Sequence, residues 1–441
     1  MIGIEKSLAM QVRAKKRVPG MTQLLSKRPD QFSYGVWPGY FEKAKGVSIW
    51  DLDGNQYTDM SICGIGANIL GYADPDVDGA VMEVISKGTG CTLNCPEEVE
   101  LADLLCELHP WAEKVRFTRT GGESMAVAIR IARAATRKDI VAFCGYHGWH
   151  DWYLAANIGT EDALEGHFLS GLSPNGVPKG LKGTALPFRY NRIGDLKTIV
   201  SSNKGLLAAI VLEPIRNEYP TKEFIKGIRK LADECGAVLI VDEISAGFRM
   251  NTGGAHLKLA IRPDIAVFSK ALGNGYPIGA VIGRGNVMEA AQLSFISSTN
   301  WTERVGPAAA LATIRKHRKH NVADHLMGIG EEVRKGWKAL AEKHGLKIAI
   351  EGIPPLSHFT FFAEQSHREL KAYYIQEMLK KGILASDIFY AMFAHSSKHV
   401  DEYLRATDSV WDKIKSLLAA GESIAKLFKG ESSAAGFKRL T

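Results

Sequence analysis

The 441-residue sequence predicts an α/β protein, with a large domain built on a mostly parallel sheet flanked by helices and a smaller α+β domain. Short apolar runs alternate with helical patterns from residue 115 to 268, the rhythm of a doubly wound sheet. Two of these runs, 238–241 and 265–268, end abruptly in polar residues followed by glycine, as strands do at the open edge of such a sheet. From residue 305 onward the pattern changes to long helices with a few strands. The length exceeds one typical domain. Boundaries are expected near 74/75 and 310/311, so that 1–74 and 311–441 form the small domain around a large domain at 75–310.

The elements follow in order. Residues 1–40 predict a helix and then irregular chain rich in Pro, Gly and aromatic residues, with Arg13, Lys15, Lys16 and Arg17 on a solvated helix face. Alternating strands around Asp53-Gly54-Asn55 predict a hairpin over 46–59. Two helices are expected between 75 and 110, separated by a break at 88–96. Then come a strand at 115–117, a helix at 124–136, strands at 140–143 and 207–212, a helix at 222–234, and strands at 238–241 and 265–268. Residues 278–282 also read as strand. The Gly/Pro-rich stretch 169–184 predicts a long loop. The terminal region adds strands at 346–350 and 358–362 and a frayed tail from Gly430.

Composition narrows the function classes. With 46% hydrophobic and 23% charged residues the chain is ordinary globular material, able to bury a substantial core. A net charge of +7 over this length is modest and gives no nucleic-acid signature. The six cysteines (Cys63, Cys91, Cys95, Cys106, Cys144 and Cys235) show no paired metal spacing and fit reduced thiols in a cytoplasmic protein. Neither a secretory signal pattern nor a membrane-length apolar run is visible, so no membrane partner is expected.

The chemistry concentrates at strand ends. Val238-Leu239-Ile240-Val241 delivers Asp242 and Glu243, and Ile265-Ala266-Val267-Phe268 leads through Ser269 to Lys270. Ligands of open α/β sheets sit outside the carboxyl ends of the strands. An acid and a lysine presented there suit pyridoxal 5'-phosphate (PLP), with the lysine forming a Schiff base and the acid partnering the pyridinium nitrogen. Gly273-Asn274-Gly275 with Gly279 imitates a dinucleotide loop. Its spacing, the intervening Pro277 and the strand that follows argue against a dinucleotide-dependent oxidoreductase. Arg119-Thr120-Gly121-Gly122-Glu123 joins a strand to a strong helix, where free N–H groups and the helix dipole favour an anion. Tyr146-His147-Gly148-Trp149-His150 places an aromatic ring at another strand end. His147 and His150 at i,i+3 lack a third carboxylate for a metal, so none is expected.

Over roughly residues 35 to 400 the chain resembles the class III, fold-type-I PLP aminotransferases, and within them the glutamate-1-semialdehyde aminomutase subgroup. The segments that carry the resemblance are Trp50 to Asn55, Tyr146-His147-Gly148, Glu213-Pro214, Asp242-Glu243 through Arg249, and Ser269-Lys270. It implies that Lys270 carries the cofactor and shuttles the substrate proton, while Asp242 keeps the pyridine nitrogen protonated. Tyr146 would stack on one ring face and Ile244 on the other, with His147 beside them. Gly121 and Gly122 would bind the phosphate. The family's usual threonine is Gly122 here, leaving Ser124 or Thr120 to supply a hydroxyl. Thr302 matches the threonine that reaches the phosphate from a neighbouring subunit, which implies a homodimer with shared active sites.

The same resemblance thins at the substrate. The basic residue expected near the N-terminal strands is absent, and 32–41 reads Phe-Ser-Tyr-Gly-Val-Trp-Pro-Gly-Tyr-Phe. Tyr390 stands where the aminomutases carry a glutamate. These departures predict an aminotransferase taking an amino group from an amino-acid donor, glutamate being the common one, to a carbonyl acceptor such as a sugar-derived aldehyde or ketone. Tyr34, Trp37, Tyr40, Trp149, Trp152 and Tyr390 are candidate pocket rings, and Asn217 is a further substrate candidate. Arg119, Arg216 and Arg249 are the candidate carboxylate partners. An intramolecular aminomutase on the same scaffold is the alternative.

Overall fold

The computed structural model describes residues 3–158, 163–164, 171–215, 217–363, 366–427 and 429–430. The chain forms two compact units, one of Pro75–Asp324 and the other of Met1–Asp74 together with His325–Thr441. Helix Val305–Lys319, through which the expected second boundary passes, stays with the large unit, packed on helices Pro75–Ser86 and Pro96–Leu108.

The large unit is organised by a seven-stranded sheet. Its order is Lys114–Thr118, Gly279–Gly283, Ile265–Phe268, Val238–Asp242, Leu207–Leu212, Ile140–Cys144, Ala185–Pro187. Gly279–Gly283 runs antiparallel to both its neighbours, and every other pairing is parallel. The carboxyl ends of the strands leading to Thr120, Tyr146, Glu213, Asp242 and Lys270 therefore share one edge of the sheet.

The inner strands read as unbroken apolar runs because both faces are covered. Val141, Phe143, Val238 and Ile240 belong to one buried cluster with Met125 and Ile129 of helix Gly121–Thr136. The alternate residues Ala142, Cys144, Leu239 and Val241 join Phe224 and Ile228 of helix Lys222–Cys235 on the other face. Each such buried aliphatic side chain contributes about 1.5–3 kcal/mol. The second helix begins at Thr221, whose hydroxyl accepts from the Phe224 N–H, and ends at Gly236, which takes a left-handed φ of +61°.

The terminal unit knits both chain ends together. Phe41–Lys45, Ser48–Asp51 and Gln56–Met60 form an antiparallel sheet that Ile383–Ala385 joins in parallel. Lys347–Ile353, Leu356–Phe362 and Ile388–Tyr390 make a second, antiparallel sheet. Among the described residues, no helix is long and apolar enough to cross a membrane.

Three short-range details depart from expectation. The strand Ala185–Pro187 was not foreseen, since three residues ending in proline carry no periodic signal. Helix Gly121–Thr136 starts earlier than 124, directly on the glycine pair. The Gly/Pro-rich loop contains a turn of 3-10 helix at Lys179–Leu181, while its residues 169–170 and the tail past 430 lie outside the described residues.

Buried histidines set an acid limit on both units. In each of His109, His317 and His395 one ring nitrogen donates to a carbonyl (of Leu105, Phe248 and Asp59) and the other accepts a hydrogen bond (from Gly254 N–H, the Thr252 hydroxyl and Met392 N–H). A neutral imidazole satisfies both bonds, and burial pushes all three down to about 4 from the ordinary 6.5. The unfolded chain thus binds protons that the folded chain refuses, so stability is full above pH 6.5 and is lost as pH falls toward 4. Each histidine contributes up to about 3 kcal/mol to this loss. Melting temperature against pH tests it; a flat profile between pH 7 and 4.5 would refute it.

Candidate active site

Lys270 follows the strand Ile265–Phe268 in a left-handed conformation, φ +46°. For a side chain with a Cβ this costs on the order of 1–2 kcal/mol, strain of the kind found at functional sites. Its Nζ donates to the Ser245 hydroxyl at 2.8 Å. Part of the lysine's surface stays open, but its amine is hemmed in, and desolvation holds it below the ordinary lysine range. Asp242 and Glu213 oppose that shift, and Arg249 adds to it. A lowered value matters because only the neutral amine is a nucleophile or a base.

Asp242 ends the adjacent strand and is almost fully buried. His147 donates from Nδ1 to its Oδ2 at 2.8 Å, and the Ile244 N–H donates to its Oδ1 at 3.0 Å. The other ring nitrogen of His147 faces the Cys144 carbonyl at 3.2 Å. Two hydrogen bonds thus hold the carboxylate in place, with acceptor capacity left for a cationic ring nitrogen. Next along the chain, Glu243 points to the opposite side and accepts from the N–H groups of Ala255 and His256 and from His256 Nδ1. Tyr146 is half-buried, edge-on to Tyr153 with ring centroids 5.9 Å apart. Its N–H donates to Glu213 Oε2 at 3.1 Å, and burial, then Asp242 and Glu213, raise its hydroxyl's pKa.

The helix Gly121–Thr136 opens with a reciprocal cap between Thr120 and Glu123. A side chain at Gly121 would lie 3.0 Å from the Ile244 methyl, and one at Gly122 would lie 3.0 Å from His150 Nδ1. An added Cβ would crowd this cradle, which leaves backbone open to an anion and fits the phosphate of a planar, phosphorylated pyridine aldehyde. The hydroxyl expected from Ser124 is not available to it. Ser124 is buried, donating to the Thr120 carbonyl and sharing a 2.5 Å hydrogen bond with Thr118. Thr120 is exposed, but its hydroxyl serves the cap.

The other expected residues are distributed as follows. Thr302 is exposed in a 3-10 turn, its hydroxyl donating to the Thr299 carbonyl. Arg119 is committed to that segment, donating to the carbonyls of Trp301 and Glu303 and pairing with the Glu303 carboxylate at 2.9 Å. Arg249 is buried, donating from Nε to the Ser245 carbonyl. Arg216 lies outside the described residues, and Asn217 is exposed. In the terminal unit Trp37 is 8% exposed, its ring stacked 4.1 Å from that of Phe32 within an apolar cluster. Tyr390 is half-buried beside Cys63 and Met392, and its N–H donates to the Ser61 carbonyl. Trp152 is buried against Phe143 and His147, whereas Trp149 is 68% exposed. Among the described residues, no group of three or more His, Cys, Asp or Glu side chains could hold a metal ion.

Ser245 and Glu213 complete the constellation, and reading motifs for acids, bases and glycines passes over both as site residues. The signal for Ser245 was its place three residues after Asp242, on the same strand-end turn.

The chain as a whole is similar to known proteins. Residues 33–399 match the family described as Aminotransferase class-III. The 3-aminobutyryl-CoA aminotransferase of Cloacimonas acidaminovorans (strain Evry) is 30% identical, covering 92% of this chain and 95% of the relative. The 2'-deamino-2'-hydroxyneamine transaminase of Streptomyces kanamyceticus is 33% identical over 86% of this chain and 91% of its own length. Among solved structures, the PLP internal aldimine form of the Sphingopyxis sp. MTA144 FumI protein superposes with a TM-score of 0.85, at 26% identity, over 94% of this chain and 98% of that one.

Proposed function

Because the chain belongs to the class-III aminotransferases, we propose that this PLP-dependent enzyme moves an amino group from an amino acid, glutamate foremost, to a neutral hydroxyl-bearing carbonyl compound. The observation that carries the transamination chemistry is the pairing of Lys270 with Ser245 and of Asp242 with His147 at adjacent strand ends. Two things support the acceptor class. Residues 32–41 lack a basic group, and one relative is named for 2'-deamino-2'-hydroxyneamine.

Bound PLP supplies the electron sink for the carbon that gains or loses its proton. The chain's residues do the rest. Lys270, its pKa lowered by burial, takes a proton at Nζ and returns it, with the Ser245 hydroxyl holding the amine in place between transfers. Asp242 would hold positive charge at the ring nitrogen, with His147 and the Ile244 N–H fixing its carboxylate. Tyr146 and Ile244 would flank the ring, and the N–H groups of Gly121 and Gly122 would hold the phosphate. A homodimer belongs to this reading, with each protomer's exposed Thr302 offered to its neighbour's phosphate, as does a cytoplasmic location.

A single turnover tests the donor. Protein loaded with PLP and mixed with L-glutamate alone should lose the cofactor's visible absorbance and release about one 2-oxoglutarate per site. Hydroxylated aldehydes should then restore the absorbance faster than 2-oxo acids do. If 2-oxoglutarate is not released and glutamate-1-semialdehyde isomerises without added donor, the aminomutase alternative takes its place.

A further inference from the structure

We propose that His150 is a phosphate-binding residue of this chain, its imidazole taking the place of the hydroxyl that Gly122 does not supply. The inference rests on the assignment of the cofactor phosphate to the start of helix Gly121–Thr136. Two glycines bring the residues together. A Cβ on Gly148, which has φ +102°, would lie 3.0 Å from the Gly122 Cα, so segment 146–150 crosses the helix start in backbone contact. The His150 ring then occupies the space a side chain at Gly122 would need, with Nδ1 at 3.0 Å and Cε1 at 3.1 Å from that Cβ position. A hydroxyl-bearing residue at 122 would crowd the ring of His150 and require it to shift.

The imidazole is also chemically incomplete where it sits. Its Nδ1 is buried and has no hydrogen-bond partner among the described residues. A buried polar atom left unpaired costs about 1–3 kcal/mol, a cost that a bound water, ion or ligand relieves. The exposed indole of Trp149 stacks on the ring at 4.3 Å, holding its plane against the helix start. Glu123 and Asp151 face it and favour its protonation, while the larger effect of burial lowers its pKa. In either protonation state Nδ1 can carry a hydrogen toward an anion. A space filler would need no such nitrogen.

Dissociation constants of PLP and of pyridoxal, which lacks the phosphate, measured on apoprotein, decide the matter. His150→Ala should weaken PLP binding about tenfold or more while leaving pyridoxal unchanged. His150→Gln, which keeps a donor, should retain most of the affinity and guards against a folding artefact. Gly122→Ser alone should weaken PLP binding by collision, whereas Gly122→Ser in the His150→Ala background should restore it to within about threefold of the parent. Equal losses for PLP and pyridoxal, or no loss in His150→Ala, would overturn the role of His150. Parent protein that binds PLP no tighter than pyridoxal would overturn the phosphate assignment beneath it.

Discussion

Lys270→Ala is expected to bind PLP and release almost no 2-oxoglutarate from glutamate, with the single-turnover rate falling by about four orders of magnitude or more. The size follows from removing a group that acts as both nucleophile and proton carrier, the second role alone being worth roughly 10²–10⁴-fold. Cofactor retention follows because the contacts proposed for PLP lie mostly elsewhere: the carboxylate of Asp242, the ring faces at Tyr146 and Ile244, and the N–H groups at the start of helix Gly121–Thr136. The variant should fold normally, since it removes a partly desolvated cation and leaves alanine in the left-handed backbone that lysine already occupied. Equilibrium dialysis of PLP beside a quenched-flow assay separates binding from turnover. Residual activity above about one per cent would show that another group carries the proton.

Asp242→Asn is the second largest expected effect, about a thousandfold in turnover. The substitution keeps the shape, and its single amide oxygen can still accept from the Ile244 N–H, but it turns an NH2 donor toward His147 and removes the charge opposite the ring nitrogen. Taking one partner from a buried ion pair costs about 3–5 kcal/mol, which at 1.36 kcal/mol per tenfold spans two to nearly four orders of magnitude. PLP affinity should fall as well, so the two variants differ in kind: Lys270→Ala loses turnover alone, Asp242→Asn loses turnover and grip. If Asp242→Asn kept PLP affinity and rate within about tenfold, the assigned ion pair would be wrong.

Much of this site was legible in the amino-acid order. Asp242 and Lys270 stand out because a polar residue that ends an unbroken apolar run has few places to be except a sheet's open edge. The glycines at 121 and 122 and the aromatic at 146 follow the same logic. The unseen parts are those that depend on a third dimension. Ser124 could not be distinguished from a phosphate donor until its hydroxyl was found turned inward to Thr118 and Thr120. Trp37 looked like a pocket ring, yet aromatic residues in an irregular segment serve core and surface alike, and this one is stacked against Phe32. Gly279–Gly283 announced itself as a strand but not its direction, because apolar periodicity has no sign. Ser245 was hidden by its ordinariness; only the distance to Lys270 gives it a part.

The alternation of side chains at the end of strand Val238–Asp242 has a wider consequence. Asp242 faces the chemistry, while Glu243, one residue on, grips residues 255 and 256 from behind; His256 takes a hydrogen bond from the Trp111 indole and lies 5.4 Å from the ring of His109. The carboxylate proposed for the ring nitrogen therefore backs onto a segment that His109, held down to about 4 by burial, ties in through the Gly254 N–H. As pH falls from 6.5 toward 4, this footing weakens together with the rest of the large unit, where His317 is held down equally, so loss of cofactor and loss of fold should share one acid limit.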